Sequence, residues 1–113
     1  MKNPKIVVII PAYNEEASIA KVINDIPKEV FEIIVVNNNS TDATITVAQK
    51  AGATVLTENR KGYGYACLKG MEYVARQKQK PDIIVFLDGD YSDYPEELSK
   101  KTSILWWVQE SLN

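Results

Sequence analysis

Lys5-Ile6-Val7-Val8-Ile9-Ile10-Pro11-Ala12-Tyr13-Asn14-Glu15-Glu16 is the stretch whose reading decides the fold. After one lysine it sets five β-branched apolar residues in a row, without the polar alternation of a strand wetted on one face. Such a run belongs in a parallel sheet covered on both sides. Further runs are Glu32 to Val36, Ala53 to Thr57 and Asp82 to Leu87, and of the four, three are almost continuously apolar. The stretches between them carry helical spacing instead. Ile19, Val22, Ile23 and Ile26 form one stripe, stopped by Pro27, and Thr44, Val47, Ala48 and Ala51 form another, closed by Gly52. A third helix places Gly64, Cys67, Leu68, Met71, Val74 and Ala75 on one side, with Arg76, Lys78 and Lys80 near its carbonyl end, where cations oppose the dipole. The pattern predicts an α/β chain with an open, mostly parallel, Rossmann-like sheet. In that architecture ligands bind at the carboxyl ends of the strands.

Composition narrows the classes. The 113 residues suit one domain of common size. A net charge of -2 with no basic block argues against nucleic acid as a partner. The longest apolar runs fall far short of the roughly 20 residues of a membrane-spanning helix. One cysteine, Cys67, cannot form an internal disulfide, and a reducing cytoplasm fits best. With no histidine in the chain, Ser/His/Asp and Cys/His nucleophile systems are excluded, and any metal must be held by oxygen.

Polar residues gather where this fold binds ligands. Pro11 to Glu16 follow the first strand, Asn37-Asn38-Asn39-Ser40-Thr41-Asp42 the second, and Asp88-Gly89-Asp90 the fourth. Singly, each reads as a capped turn: Asn14 can start the first helix, and Ser40 or Thr41 the second. Asp88-Gly89-Asp90 is sharper. Two carboxylates around a glycine directly after a buried strand suit Mg²⁺ or Mn²⁺, which leave coordination positions to water and a substrate diphosphate. Asp90 is the candidate metal ligand, and Asp88 a contact to a ribose, a metal-bound water or the ion itself.

Taken together, Val8 to Glu16, Val35 to Asp42 and Asp88-Gly89-Asp90 resemble the three opening motifs of family 2 glycosyltransferases. Arg60-Lys61-Gly62-Tyr63-Gly64 and Tyr91-Ser92-Asp93-Tyr94-Pro95-Glu96-Glu97 read like its branch that contains dolichyl-phosphate mannose synthase. The resemblance covers residue 5 to about 98. It implies a glycosyltransferase A-type sheet in the order 3-2-1-4, a nucleotide-diphospho-sugar donor of UDP or GDP type, and Mg²⁺ or Mn²⁺ on Asp90 and Asp88. It also implies that Pro11, Ala12, Tyr13 and Glu15 border the nucleotide, with Tyr13 available to stack on the base, and that Lys61 lies near the diphosphate. Asn37 stands where the family has a carboxylate that accepts a base N–H. It can accept through its carbonyl oxygen but lacks the charge that strengthens the bond. Asn39 stands where glycine is usual, at a position that asks for a positive φ. Gly64 reads as a helix-packing glycine.

The resemblance divides the chain into a nucleotide-sugar-binding domain, 1–98, and an atypical helical tail, 99–113; Leu98, Thr102, Leu105, Val108 and Leu112 share one helical face across that boundary. The acceptor half with its catalytic base is expected to follow Glu97-Leu98, so no catalytic base is assigned. Two functions are weighed: inverting glycosyl transfer, and a truncated, non-catalytic nucleotide-binding remnant. A nucleotidyltransferase would need a glycine-rich loop where Pro11-Ala12-Tyr13-Asn14 stands. In the order 3-2-1-4 the fourth strand has an open apolar edge, Ile83 to Leu87, to be covered by the Trp106-Trp107 segment or by a second chain in a homodimer.

Overall fold

The computed structural model describes residues 4–89 and the backbone of 105–108. Its elements are β1 (Ile6–Ala12), α1 (Ile19–Asn24), β2 (Glu32–Asn37), α2 (Thr44–Lys50), β3 (Thr54–Thr57), α3 (Tyr63–Ala75), β4 (Ile83–Phe86) and β5 (Leu105–Val108). The sheet order is β3-β2-β1-β4-β5. β1 to β4 run parallel in the expected order 3-2-1-4, and β5 is antiparallel to β4.

Alternate residues of the central strands feed two cores. Val8, Ile10, Ala12, Val35 and Val85 meet α1 and α2 on one face, while Val7, Ile9, Ile34, Val36, Ile84 and Phe86 meet α3 on the other. Ile9, Ile10, Ile34, Val35 and Val36 are fully buried, each contributing roughly 1.5–3 kcal/mol of transfer free energy. This double coverage is why the strands read as unbroken apolar runs.

β1 extends two residues beyond its apolar run, through Pro11-Ala12. Ile9 accepts from the Leu87 N–H and Ala12 from the Asn38 N–H, so alternate residues face β4 and β2. The missing N–H of Pro11 therefore faces the β4 side, where pairing has already ended at Ile9–Phe86. Proline is harmless there.

Two expectations need correction. The buried line of α3 is Ala66, Gly70 and Val74, flanked by Cys67, Met71 and Tyr73, whereas Leu68 is exposed. The packing glycine is Gly70, not Gly64: a Cβ on Gly70 would stand 2.7 Å from Ile9 Cγ2, while one on Gly64 meets nothing within 4 Å. Small residues bring the helix close to the sheet, a role that hydrophobicity alone does not reveal. The second correction concerns the tail, where Leu105–Val108 form a strand in place of the expected helix. Trp106 and Trp107 occupy register positions opposite Val85 and Ile84. The edge of β4 is thus covered from within the chain, the first of the two coverings expected, through backbone pairing. The rest of 99–113 lies outside the described residues.

Candidate functional site

The loops after β1 and β2 are bonded into one body. Asn14, in left-handed backbone (φ 52), donates its N–H to Ser40 Oγ at 2.9 Å, and its Oδ1 accepts from the Thr41 N–H at 2.8 Å. The Glu15 N–H donates to Thr44 Oγ1 at 2.9 Å, and that hydroxyl donates onward to Asp42 Oδ1. Asp42 Oδ2 accepts from the Glu16 N–H, and Glu16 Oε1 accepts from the Ala43 N–H. Each loop thus satisfies the other's backbone donors. Burial alone would push the Asp42 carboxyl up, but the Thr44 hydroxyl and the N–H groups of Thr44 and Glu16 together bring it below its ordinary value.

The loop between β3 and α3 is held by the asparagines after β2. Asn38 Nδ2 donates to the carbonyls of Glu58 and Arg60, both at 2.8 Å, and its Oδ1 accepts from the Gly62 N–H at 2.9 Å. Asn39 has φ 67, the positive value expected, and donates to the Asn59 carbonyl. Glu58 is buried and receives Arg60 Nε, Nη2 and N–H. Those Arg60 bonds hold its carboxyl down to about 2. Arg60 in turn lies 4.4 Å above the Tyr65 ring.

After β4 the chain turns at Asp88-Gly89 against the start of α1. Ser18 Oγ donates to the Gly89 carbonyl at 2.7 Å. In front of this turn lies a cleft of about 330 Å³ lined by Pro11, Ala12, Tyr13, Glu15, Asn38, Tyr63, Ala66, Asp88 and Gly89. Tyr13 and Tyr63 are exposed aromatics at its border. Burial of the Tyr63 hydroxyl, then the neighbouring Cys67 thiol and Asp88 carboxylate, push that phenol up to about 12. It remains an O–H donor at neutral pH. Burial likewise raises the Cys67 thiol.

Pro11, Ala12, Tyr13, Glu15 and Asp88 therefore meet around one cleft, as the sequence suggested. Three other residues fall outside its lining: Asn37 is buried, with Oδ1 accepting from the Ser40 N–H, Asn39 is turned to Asn59, and Lys61 is exposed on its loop. Asp90 and the Tyr91 to Glu97 motif lie outside the described residues. The sequence reading gave no role to Ser18, Asn38 or Tyr63. Strand alternation is the signal for Asn38, because it places this residue on the face opposite Asn37. Among the described residues no three or more Cys, Asp or Glu side chains converge as a closed metal cage.

A parallel sheet in the order 3-2-1-4, with a cleft and a carboxylate turn at its carboxyl ends, is a nucleotide-sugar-binding architecture. Residues 7–101 match the Glycosyl transferase family 2 domain, and the chain belongs to that family. It is 45% identical to protein RfbJ of Shigella flexneri over 87 residues, which is 75% of this chain and 64% of that protein. A low-salt glycan biosynthesis hexosyltransferase of Haloferax volcanii is 35% identical, over 86% of this chain and 24% of its own length. Among solved structures, glucosyl-3-phosphoglycerate synthase of Mycobacterium tuberculosis, crystallised with Mn²⁺, UDP and phosphoglyceric acid, superposes with a TM-score of 0.65 at 33% identity. That match covers 77% of this chain and 33% of the synthase. A further crystal of the synthase holds Mg²⁺ and UDP. The chain thus spans about two thirds of RfbJ and about one third of the synthase. Among the described residues, no helix is long and apolar enough to cross a membrane.

Proposed function

We propose that this chain binds a nucleotide-diphospho-sugar in the cleft at the strand ends and supports inverting transfer of the sugar to an acceptor hydroxyl. The observation that carries this reading is the meeting of Pro11, Ala12, Tyr13 and Glu15 with Asp88 and Gly89 around one opening of nucleotide scale. Asp88 and Asp90 would hold Mg²⁺ or Mn²⁺. The donor chemistry fits, because both side chains offer hard carboxylate oxygens of the kind such ions take. When bound, the ion supplies Lewis-acid stabilisation of a departing diphosphate.

The chain's own residues have distinct parts in this reading. Tyr13 offers an exposed ring on which a base can stack. Tyr63 keeps its proton beside Asp88 and can donate it to a ligand oxygen. Asn37 accepts the Ser40 N–H through its one oxygen, so the second oxygen that a carboxylate would extend to a base is absent. Asn39 shapes the border of the nucleotide site through its left-handed turn. Lys61 serves as a point charge near the diphosphate, on a loop held by Asn38 and Asn39. Assignment to the dolichyl-phosphate mannose synthase-like branch rests on the Arg60 to Gly64 segment and its continuation, Tyr91 to Glu97. A cytoplasmic setting is supported by the single thiol of Cys67. Among the described residues nothing pairs with the outer side of β5, so a homodimer would form there. No observation favours a non-catalytic remnant.

A melting scan with UDP and GDP, each with and without Mn²⁺, tests the site, because a ligand at 100 times its Kd stabilises by about 2.7 kcal/mol. UDP comes first, since the synthase crystals hold it. A Mn²⁺-dependent upward shift that disappears in Asp88→Asn and Asp90→Ala, with the ligand-free melting point kept, is the expected result. A shift indifferent to metal in the unaltered chain would remove the cation from the proposal.

A further inference from the structure

We propose that Ser18 is a positioning residue for the Asp88-Gly89 turn, fixing the direction in which this turn presents the Asp88 carboxylate to a divalent cation. The inference rests on the cation reading above and adds a residue from a different element. Ser18 occupies the position before α1 where a serine ordinarily turns its hydroxyl onto its own helix, yet no such capping bond forms. The hydroxyl hydrogen goes instead to the Gly89 carbonyl, 71 positions away, through a buried bond of 2.7 Å. Glu15 Oε1, at 3.3 Å, is the longer alternative acceptor.

The need for such a bond follows from the sheet. The pairing of β1 with β4 ends at Ile9–Phe86, and the Leu87 N–H makes a last contact to the Ile9 carbonyl. Beyond Leu87, the backbone of Asp88 and Gly89 has left the β1–β4 ladder. The Gly89 carbonyl is part of the planar peptide leading to residue 90, so holding its direction constrains how the chain leaves the turn. Packing limits the same point from a second side: a Cβ on Gly89 would stand 3.3 Å from Ile19 Cδ1 and 3.4 Å from Ile10 Cγ2. Glycine and hydroxyl together seat the turn on α1. Ser18 is itself 9% exposed and outside the cleft lining, so its influence on a ligand passes through Gly89.

The test measures the Mn²⁺ concentration that half-saturates the UDP-dependent melting shift in the unaltered chain, Ser18→Ala and Ser18→Thr. Removing a bond that orients metal-holding groups costs roughly 10–100-fold in metal affinity, so Ser18→Ala should raise that concentration by about tenfold or more. UDP affinity measured without metal should stay unchanged, and Ser18→Thr, which keeps the hydroxyl, should restore the Mn²⁺ dependence. Unaltered Mn²⁺ dependence in Ser18→Ala overturns the inference while leaving the cation reading intact. Equal loss of metal-free UDP affinity also overturns it, because Ser18 would then be a general structural residue. A wild-type chain with no Mn²⁺ dependence removes both. If circular dichroism shows Ser18→Ala unfolded, Gly89→Ala, whose Cβ presses on Ile19 and Ile10, should show the same rise, and an unchanged value there would count against the inference.

Discussion

The walls of the cleft and its floor are held in different ways. The β1–α1 and β2–α2 loops exchange bonds through Asn14, Glu15, Glu16, Ser40, Asp42 and Thr44, and Asn38 ties the β3–α3 loop to them with three more. The Asp88-Gly89 turn, by contrast, leans on the start of α1, through the Ser18 hydroxyl and close packing around one glycine. Redundant bonding gives the loops at the strand ends a fixed shape. Residues conspicuous in a motif, Asn37 and Asn39, serve the loop, while their neighbour Asn38 lines the cleft.

The largest expected effect comes from breaking the walls at their buried centre. Thr44→Val removes the acceptor of the Glu15 N–H and a donor to Asp42 at a residue with no exposure, and should destabilise the chain by about 2–4 kcal/mol in urea unfolding. A loss below about 0.5 kcal/mol would mean that the loops are not held through this hydroxyl. Asn38→Ala, at a half-buried position, should cost about 1–2 kcal/mol and weaken UDP more than uridine, because the released loop carries Lys61. Equal weakening of both ligands would separate that loop from the diphosphate.

A smaller effect is expected from acid. Glu58 in the folded chain lies near 2, below its ordinary 4.5. Its contribution is therefore complete above 4.5 and lost as pH falls toward 2. Stability should decline less steeply over that interval in Glu58→Gln than in the unaltered chain, and identical slopes would contradict the pairing with Arg60. The smallest change is a gain. Gly64→Ala adds a methyl group on α3 that meets nothing within 4 Å, and should raise stability by about 0.5 kcal/mol without altering UDP binding.

Much of this arrangement is legible in the sequence, for a physical reason. Strands buried on both faces must be continuously apolar, so Ile6 to Ile10 and Ile83 to Phe86 announce a parallel sheet, and its polar strand ends mark the cleft. The packing of α3 was less visible. Apolar periodicity weights large side chains such as Leu68, whereas close approach to Ile9 selects Ala66 and Gly70. The strand at Leu105–Val108 was hidden by a competing helical spacing, since four residues carry too little period to outvote it. Within the site, strand-end position marks the stretches that hold Pro11 to Glu16 and Asp88, and the family resemblance picks out Pro11, Ala12, Tyr13 and Glu15 among them. Neither signal finds Ser18, because its partner lies 71 residues away and a serine before a helix already has an ordinary local explanation.

The placement of β4 beside β1 has a consequence for synthesis. Ile83 pairs with Ile6, so at about 5–20 residues per second it emerges from the ribosome some 4 to 15 s later than its neighbour in the sheet. During that interval β1, β2 and β3 can assemble, but the far side of β1 is a bare template for any passing extended segment. Chaperone occupancy on the nascent chain should therefore peak before residue 86 clears the exit tunnel and fall once the vacant seat is filled.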